Sequence, residues 1–137
     1  MEISRKMSEH KQDELDEIFV DKNEPADKRL VVEILKPYVT IDLIGNISFS
    51  ENFEKINNQH KALIYLISKK AMILKGIKSI TEPSKIPEVS KGAFISKSDV
   101  KNALCTNYKK LVLKEKEGYV IPNHNLKKIK NLIENGN

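Results

Sequence analysis

The chain has no tryptophan, one cysteine, five glycines, five prolines and three histidines in 137 residues. The lone thiol, Cys105, excludes an internal disulfide and fits a reducing compartment. His10, His60 and His124 stand far apart and, with a single thiol, offer no zinc-ligand spacing. There is no glycine-rich phosphate loop, no serine-centred elbow and no clustered carboxylate pair, so neither an enzyme's chemistry nor a cofactor is expected. The longest apolar run, Ala62 to Ile67, is far short of the about 20 residues that span a bilayer. The N-terminal stretch MEISRKMSEHKQDELDEIF is charged throughout and lacks the apolar core of a signal peptide. Together these absences lead us to expect a soluble, cytoplasmic protein with no membrane partner.

Arginine is almost missing too, with only Arg5 and Arg29, while lysine, isoleucine and asparagine abound. An AT-rich genome imposes such a bias on any protein, but it does not strip acids from one half of a chain. Residues 1–24 carry 4 basic and 8 acidic side chains, residues 25–54 carry 3 and 5, and residues 55–137 carry 17 and 6. The segments therefore hold −4, −2 and +11, which total the formal +5. A split of this kind implies a basic working surface and an acidic arm.

What is present suffices for one core: 39% of the residues are hydrophobic, and a chain of this length needs no metal or disulfide to hold it. Residues 1–24 read as an acidic arm whose anchors are Leu15, Ile18 and Phe19. Helix one is expected over about 25–36, begun at Pro25 with Asp27 in its first turn and ended by Pro37. YVTIDLIGNISFS alternates as a hairpin, with Gly45-Asn46 supplying the positive φ of its turn. Asn58 to Ile77 is the strongest helix. Its apolar arc is wide, which suits either the central core helix or one that also carries a dimer contact.

In the connector 78–98 a short helix is expected with Ser84 as N-cap and Pro87 in its first turn, Gly92 breaking the chain, and Phe94 and Ile95 packed inward. A further helix spans about 97–110. Ser96 caps it, Asp99 completes a capping box, and Val100, Ala103, Leu104, Asn107 and Leu111 define the inner side. Residues 112–121 form a second hairpin with a tip at 114–118, and the last helix runs from Asn123 to Glu134.

The order of long helix, short helix, amphipathic helix, hairpin and closing helix, carried by Asn58 to Ile133, resembles the winged-helix branch of the helix-turn-helix proteins. SKSDVKNALCTNYKKLVLKEKEGYVIPN is similar to a recognition helix followed by a wing, with Ser96, Val100, Leu104 and Leu111-Val112-Leu113 at the corresponding places. Small archaeal members with a preceding hairpin and long helix are the most alike. Two departures stand out: Phe94-Ile95 occupies the turn where glycine is usual, and the recognition helix has no arginine.

The resemblance implies an α+β, mostly helical fold, a winged helix over 58–137 with a helix and hairpin extension over 25–57. It implies a nucleic-acid-binding protein, with duplex DNA as partner and transcriptional regulation as role. Helix 97–110 would enter the major groove and hairpin 112–121 would serve as the wing. Lys97 and Lys101, one turn apart, would hold phosphates beside Ser98, and Asn102 could pair with adenine. Lys109 and Lys110 would extend the charge to Lys114 and Lys116, where the interleaved Glu115 and Glu117 weaken the clamp. A homodimer through helix 58–77 or the N-terminal arm is a further expectation. The alternative is a winged-helix adaptor that binds proteins rather than DNA.

Overall fold

A computed structural model of the chain describes residues 26–135, together with Leu15 and Ile18. Both of these N-terminal side chains are exposed; Phe19 and the rest of the acidic arm lie outside the described residues. The architecture is α+β and mostly helical, with six α-helices and two antiparallel hairpins among the described residues. None of those helices is long and apolar enough to cross a membrane.

Helix α1, Lys28–Leu35, starts later than the sequence suggests, because Asp27 is its cap and not part of its first turn. The Asp27 carboxylate accepts the Leu30 N–H at 3.1 Å, satisfying a donor that has no partner within the helix. Strands β1, Val39–Ile41, and β2, Ile47–Phe49, pair with Val39 opposite Phe49 and Ile41 opposite Ile47. At their tip the Asp42 carboxylate accepts from the Ile44 and Asn46 N–H groups, which holds its pKa below the usual range. Gly45 alone takes a positive φ there, +97°, and Asn46 does not. A short helix, α2, Glu51–Lys55, follows β2, where no periodicity predicts one. It buries Phe53, whose ring stacks on Phe49 at 4.0 Å.

Helix α3, Asn58–Lys75, is capped by Asn57, which accepts the His60 N–H at 2.8 Å, and it ends at Gly76 in the left-handed conformation. Every residue from Ala62 to Lys70 is buried, so the wide apolar arc is that of a central helix. That stretch leaves no exposed side for a second copy of the chain. Helix α1 covers part of it, and α1 also packs on the last helix, α6, Leu126–Glu134. Val31, Ile34, Val39 and Phe53 of the N-terminal extension therefore share one core with Leu66, Leu104 and Ile129. Removing one such side chain, as in Leu66→Ala, is expected to cost about 2–5 kcal/mol.

Beyond α3 the chain turns at Lys78-Ser79 and bends at Glu82 before Ser84, then enters helix α4, Ile86–Ala93, whose N-cap is Lys85 and not Ser84. Ser84 is used otherwise. Its backbone pairs with Tyr119 in both directions, N–H to carbonyl at 3.0 and 2.8 Å, adding a third strand position to the second hairpin. Its buried side chain joins a polar cluster: Lys69 donates to Ser84 and to Glu88, and the Tyr65 hydroxyl donates to Glu88 at 2.9 Å. Burial first, and the Glu88 carboxylate beside it second, push the Tyr65 phenol well above its ordinary pKa. Such a satisfied network ties α3, the connector at Ser84 and α4 in one register.

Gly92 does not break the chain. It lies inside α4 where a Cβ would come within 2.2 Å of the Tyr65 ring, so it is there for close packing. The break comes at Phe94, which adopts φ 60°, ψ 44° and is 80% exposed, whereas Ile95 alone turns inward. A left-handed phenylalanine costs roughly 1–2 kcal/mol.

Helix α5, Lys97–Lys101, continues without interruption as a π-helix, Asn102–Asn107, and stops there, short of Lys110. Ser96 caps it through the Asp99 N–H at 3.0 Å. Asp99 does not reach back to close a capping box, since its carboxylate instead accepts from Asn58 at 2.8 Å. Strands β3, Leu113–Glu115, and β4, Gly118–Val120, leave a tip of only Lys116-Glu117. Gly118 belongs to the strand, opposite Glu115, and must be glycine because a side chain there would sit 2.5 Å from the Ser84 carbonyl carbon. A 3₁₀ turn, Asn123–Asn125, then precedes α6, which begins three residues later than expected.

Candidate nucleic-acid interface

Three anchors hold the α5–π segment against the core. Val100, Ala103 and Leu104 are buried beneath it. Asn107, expected inside, is exposed and donates to Gln59 at 2.6 Å. Tyr108, just past the π-helix, bonds to the buried His60 ring at 3.1 Å. Burial lowers the His60 pKa and raises that of Tyr108. The Asn107 and Tyr108 bonds both reach the first turn of α3, so the outer side of the segment is fixed relative to the core.

That outer side carries Lys97, Ser98, Lys101, Asn102 and Cys105, all exposed. Lys97, Lys101 and Cys105 follow one another at four-residue spacing and form a stripe along the helix. At the end of the stripe the Cys105 thiol meets the Tyr119 hydroxyl at 3.3 Å. This contact first, and burial second, pushes the Tyr119 phenol up to about 12. Tyr119 lies on β4 directly opposite Lys114 on β3, and residues opposite one another in an antiparallel pair share a face. Lys114 therefore stands on the hairpin face that abuts the helical stripe.

Strand alternation removes the acids from this face. Glu115 points with Leu113 into a cleft of about 470 Å³ on the other side of the hairpin, and Glu117 lines a separate depression with Lys85 and Glu88. Lys116 is exposed at the tip and Lys109 in the turn before β3. Lys110 goes elsewhere: it is exposed but lines the far cleft together with Lys70, Glu82 and His124. Among the described residues, no ion pair engages Lys97, Lys101, Lys109, Lys110, Lys114 or Lys116. By contrast, Lys69 and Lys70 are buried and paired with Glu88 and Glu82.

Sequence reasoning missed the part played by Tyr119, and the signal was available: a two-residue tip would have set it opposite Lys114. Phe94, expected to pack inward, instead stands exposed three residues before Lys97. Among the described residues no three His, Cys, Asp or Glu side chains gather as a metal site would need. No family model matches the chain, and no curated protein or solved structure matches it either.

Proposed function

We infer that the chain is a winged-helix protein that binds nucleic acid, with duplex DNA as its partner and transcriptional regulation as its role. In this reading α3, α4 and the α5–π segment are the three helices of the unit, and β3–β4 with the Ser84 strand position is the wing. The single observation that carries it is the Cys105–Tyr119 contact. That contact joins the stripe of Lys97 and Lys101 to the face bearing Lys114, so cations from two elements line one exposed ridge. Unpaired lysines on a ridge gain affinity by releasing the counterions condensed on a phosphate backbone. Ser98 and Asn102 are short and polar, which lets the helix approach base edges, and Asn suits adenine. Lys109 and Lys116 extend the ridge; Lys110, facing the far cleft, contributes little.

The only thiol of the chain reports on this surface. Alkylation of Cys105 by a maleimide is expected to slow at least several-fold in the presence of duplex DNA. An unchanged rate under conditions where DNA is bound would remove the ridge from the interface.

An adaptor role has one observation in its favour: Leu43 and Ile44, at the tip of the first hairpin, are 75% and 73% exposed. Apolar side chains held out on a rigid tip suit a protein partner. Retention of a partner by the parent chain but not by Leu43→Ser/Ile44→Ser, with no DNA binding by either, would favour that role.

A further inference from the structure

Phe94 is held in place from several directions. The Phe94 and Ile95 N–H groups both bond to the Ser90 carbonyl, and the Ser90 hydroxyl donates to the Ile95 carbonyl at 2.6 Å. The buried Ile95 then fixes the chain, and Ser96 starts the next helix. This turn requires a left-handed residue, for which glycine is the least costly. A phenylalanine there is strained, and its ring gains little from folding. It stays 80% exposed and makes one edge contact, with Phe49 at 6.1 Å and an interplanar angle of 85°. That contact steadies the ring from one side, since Phe49 is itself stacked on the buried Phe53. Lys91 and Lys97, three residues to either side, are exposed. Three residues span at most about 10 Å of backbone, so the Cα atoms of Phe94 and of the ridge's first lysine, Lys97, lie within that reach.

Strain that persists under such constraint, with no packing return, points to use outside the fold. A propped aromatic ring flanked by cations suits one partner chemistry above others, the apolar face of a nucleobase beside its phosphates. We propose that Phe94 packs against an unstacked base step of the DNA held by the lysine ridge, so that the protein favours duplex that is opened or kinked there. This inference rests on the nucleic-acid reading and adds to it the state of the DNA.

The test compares the parent chain, Phe94→Gly and Phe94→Tyr by fluorescence anisotropy on three probes of one sequence: a continuous duplex, the same duplex with a one-nucleotide bulge, and the single strand. Phe94→Gly relieves the backbone, so its melting temperature should equal or exceed the parent's. Should it fail to fold, Phe94→Asn, also at ease in the left-handed region, takes its place. The parent should favour the bulged duplex, and Phe94→Gly should lose about 5- to 150-fold in affinity for it, the range for one aromatic–base stack. Phe94→Tyr should keep the parent's affinity. An equal loss on the continuous duplex also supports the proposal, with the step opened by the protein itself. Tightest binding to the single strand, lost in Phe94→Gly, keeps the ring–base contact but moves it to an unpaired strand and overturns the preference for duplex. Equal affinity of parent and Phe94→Gly on all three probes overturns the inference and leaves the ridge standing. A parent chain that binds none of them overturns both.

Discussion

Replacing Gly118 by alanine should unfasten the second hairpin from the body of the protein. The added methyl would lie 2.5, 2.6 and 2.7 Å from the carbonyl carbon, carbonyl oxygen and nitrogen of Ser84, all backbone atoms of a buried residue. Neither partner can step aside without breaking the two Ser84–Tyr119 hydrogen bonds at 3.0 and 2.8 Å. The backbone at Gly118 also sits at φ +141°, where alanine is strained. Strain of about 1 kcal/mol and two lost bonds at about 1 kcal/mol each give a loss of about 3 kcal/mol. A domain of this size holds about 7–20 kcal/mol, so the protein should still fold. Its melting temperature should drop by roughly 10 °C. Hydrogen exchange supplies the sharper readout: the Ser84 and Tyr119 amides should lose protection while those of Leu66 and Ile67 in α3 keep it. Unchanged stability and unchanged protection of Ser84 would refute the close approach on which the three-strand arrangement depends.

Acidification should weaken the fold through His60. Burial holds its pKa below the ordinary 6.5, so on lowering the pH the unfolded chain takes up the proton before the folded one does. Its stabilising contribution is whole above about pH 6.5 and is lost as the pH falls through the folded-state pKa. Melting curves of the parent and His60→Gln from pH 8 to 5 should separate the two, the variant losing less on acidification; parallel curves would contradict the assignment. The Cys105 footprint has a converse as well. Protein alkylated at that thiol with a bulky reagent should bind duplex at least several-fold more weakly, and equal affinity would place the contact surface elsewhere.

Elements with one strong local cause were legible in the sequence. Periodicity and a terminal glycine located α3 nearly to the residue, and alternation around Gly45-Asn46 located β1 and β2. What escaped was decided by distant partners. Gly92 and Gly118 look like breakers, but their reasons are Tyr65 and Ser84, more than 25 residues away in each case. Ser84 has the chemistry of a helix cap and serves a strand, because Tyr119 offers it two backbone bonds. Asp99 would suit a capping box and turns to Asn58 instead. Helix α2 is too short for a periodic signal, and only the burial of Phe53 explains it.

Among the candidate residues, the exposed side of the α5–π segment followed from helical spacing alone. Assignment of the lysines beyond it needed the length of the hairpin tip, which composition does not reveal. A five-residue tip leaves Lys114 and Glu115 without a defined face, whereas a two-residue tip separates them. Hydrophobicity alone predicts Phe94 inward, because large apolar side chains usually are. The left-handed turn that carries it between Ala93 and the buried Ile95 put it outside.

The dependence of duplex affinity on salt measures the claim that these cations act together on one polyanion. With about five phosphates engaged by Lys97, Lys101, Lys109, Lys114 and Lys116, the logarithm of the association constant should fall against log salt with a slope of about −4 to −5. Lys97→Glu/Lys101→Glu should reduce that magnitude by about 2, while Lys110→Glu, on the far cleft, should leave it near the parent's value. A slope near zero for the parent, or equal slopes for the parent and the Lys97→Glu/Lys101→Glu variant, would contradict the account.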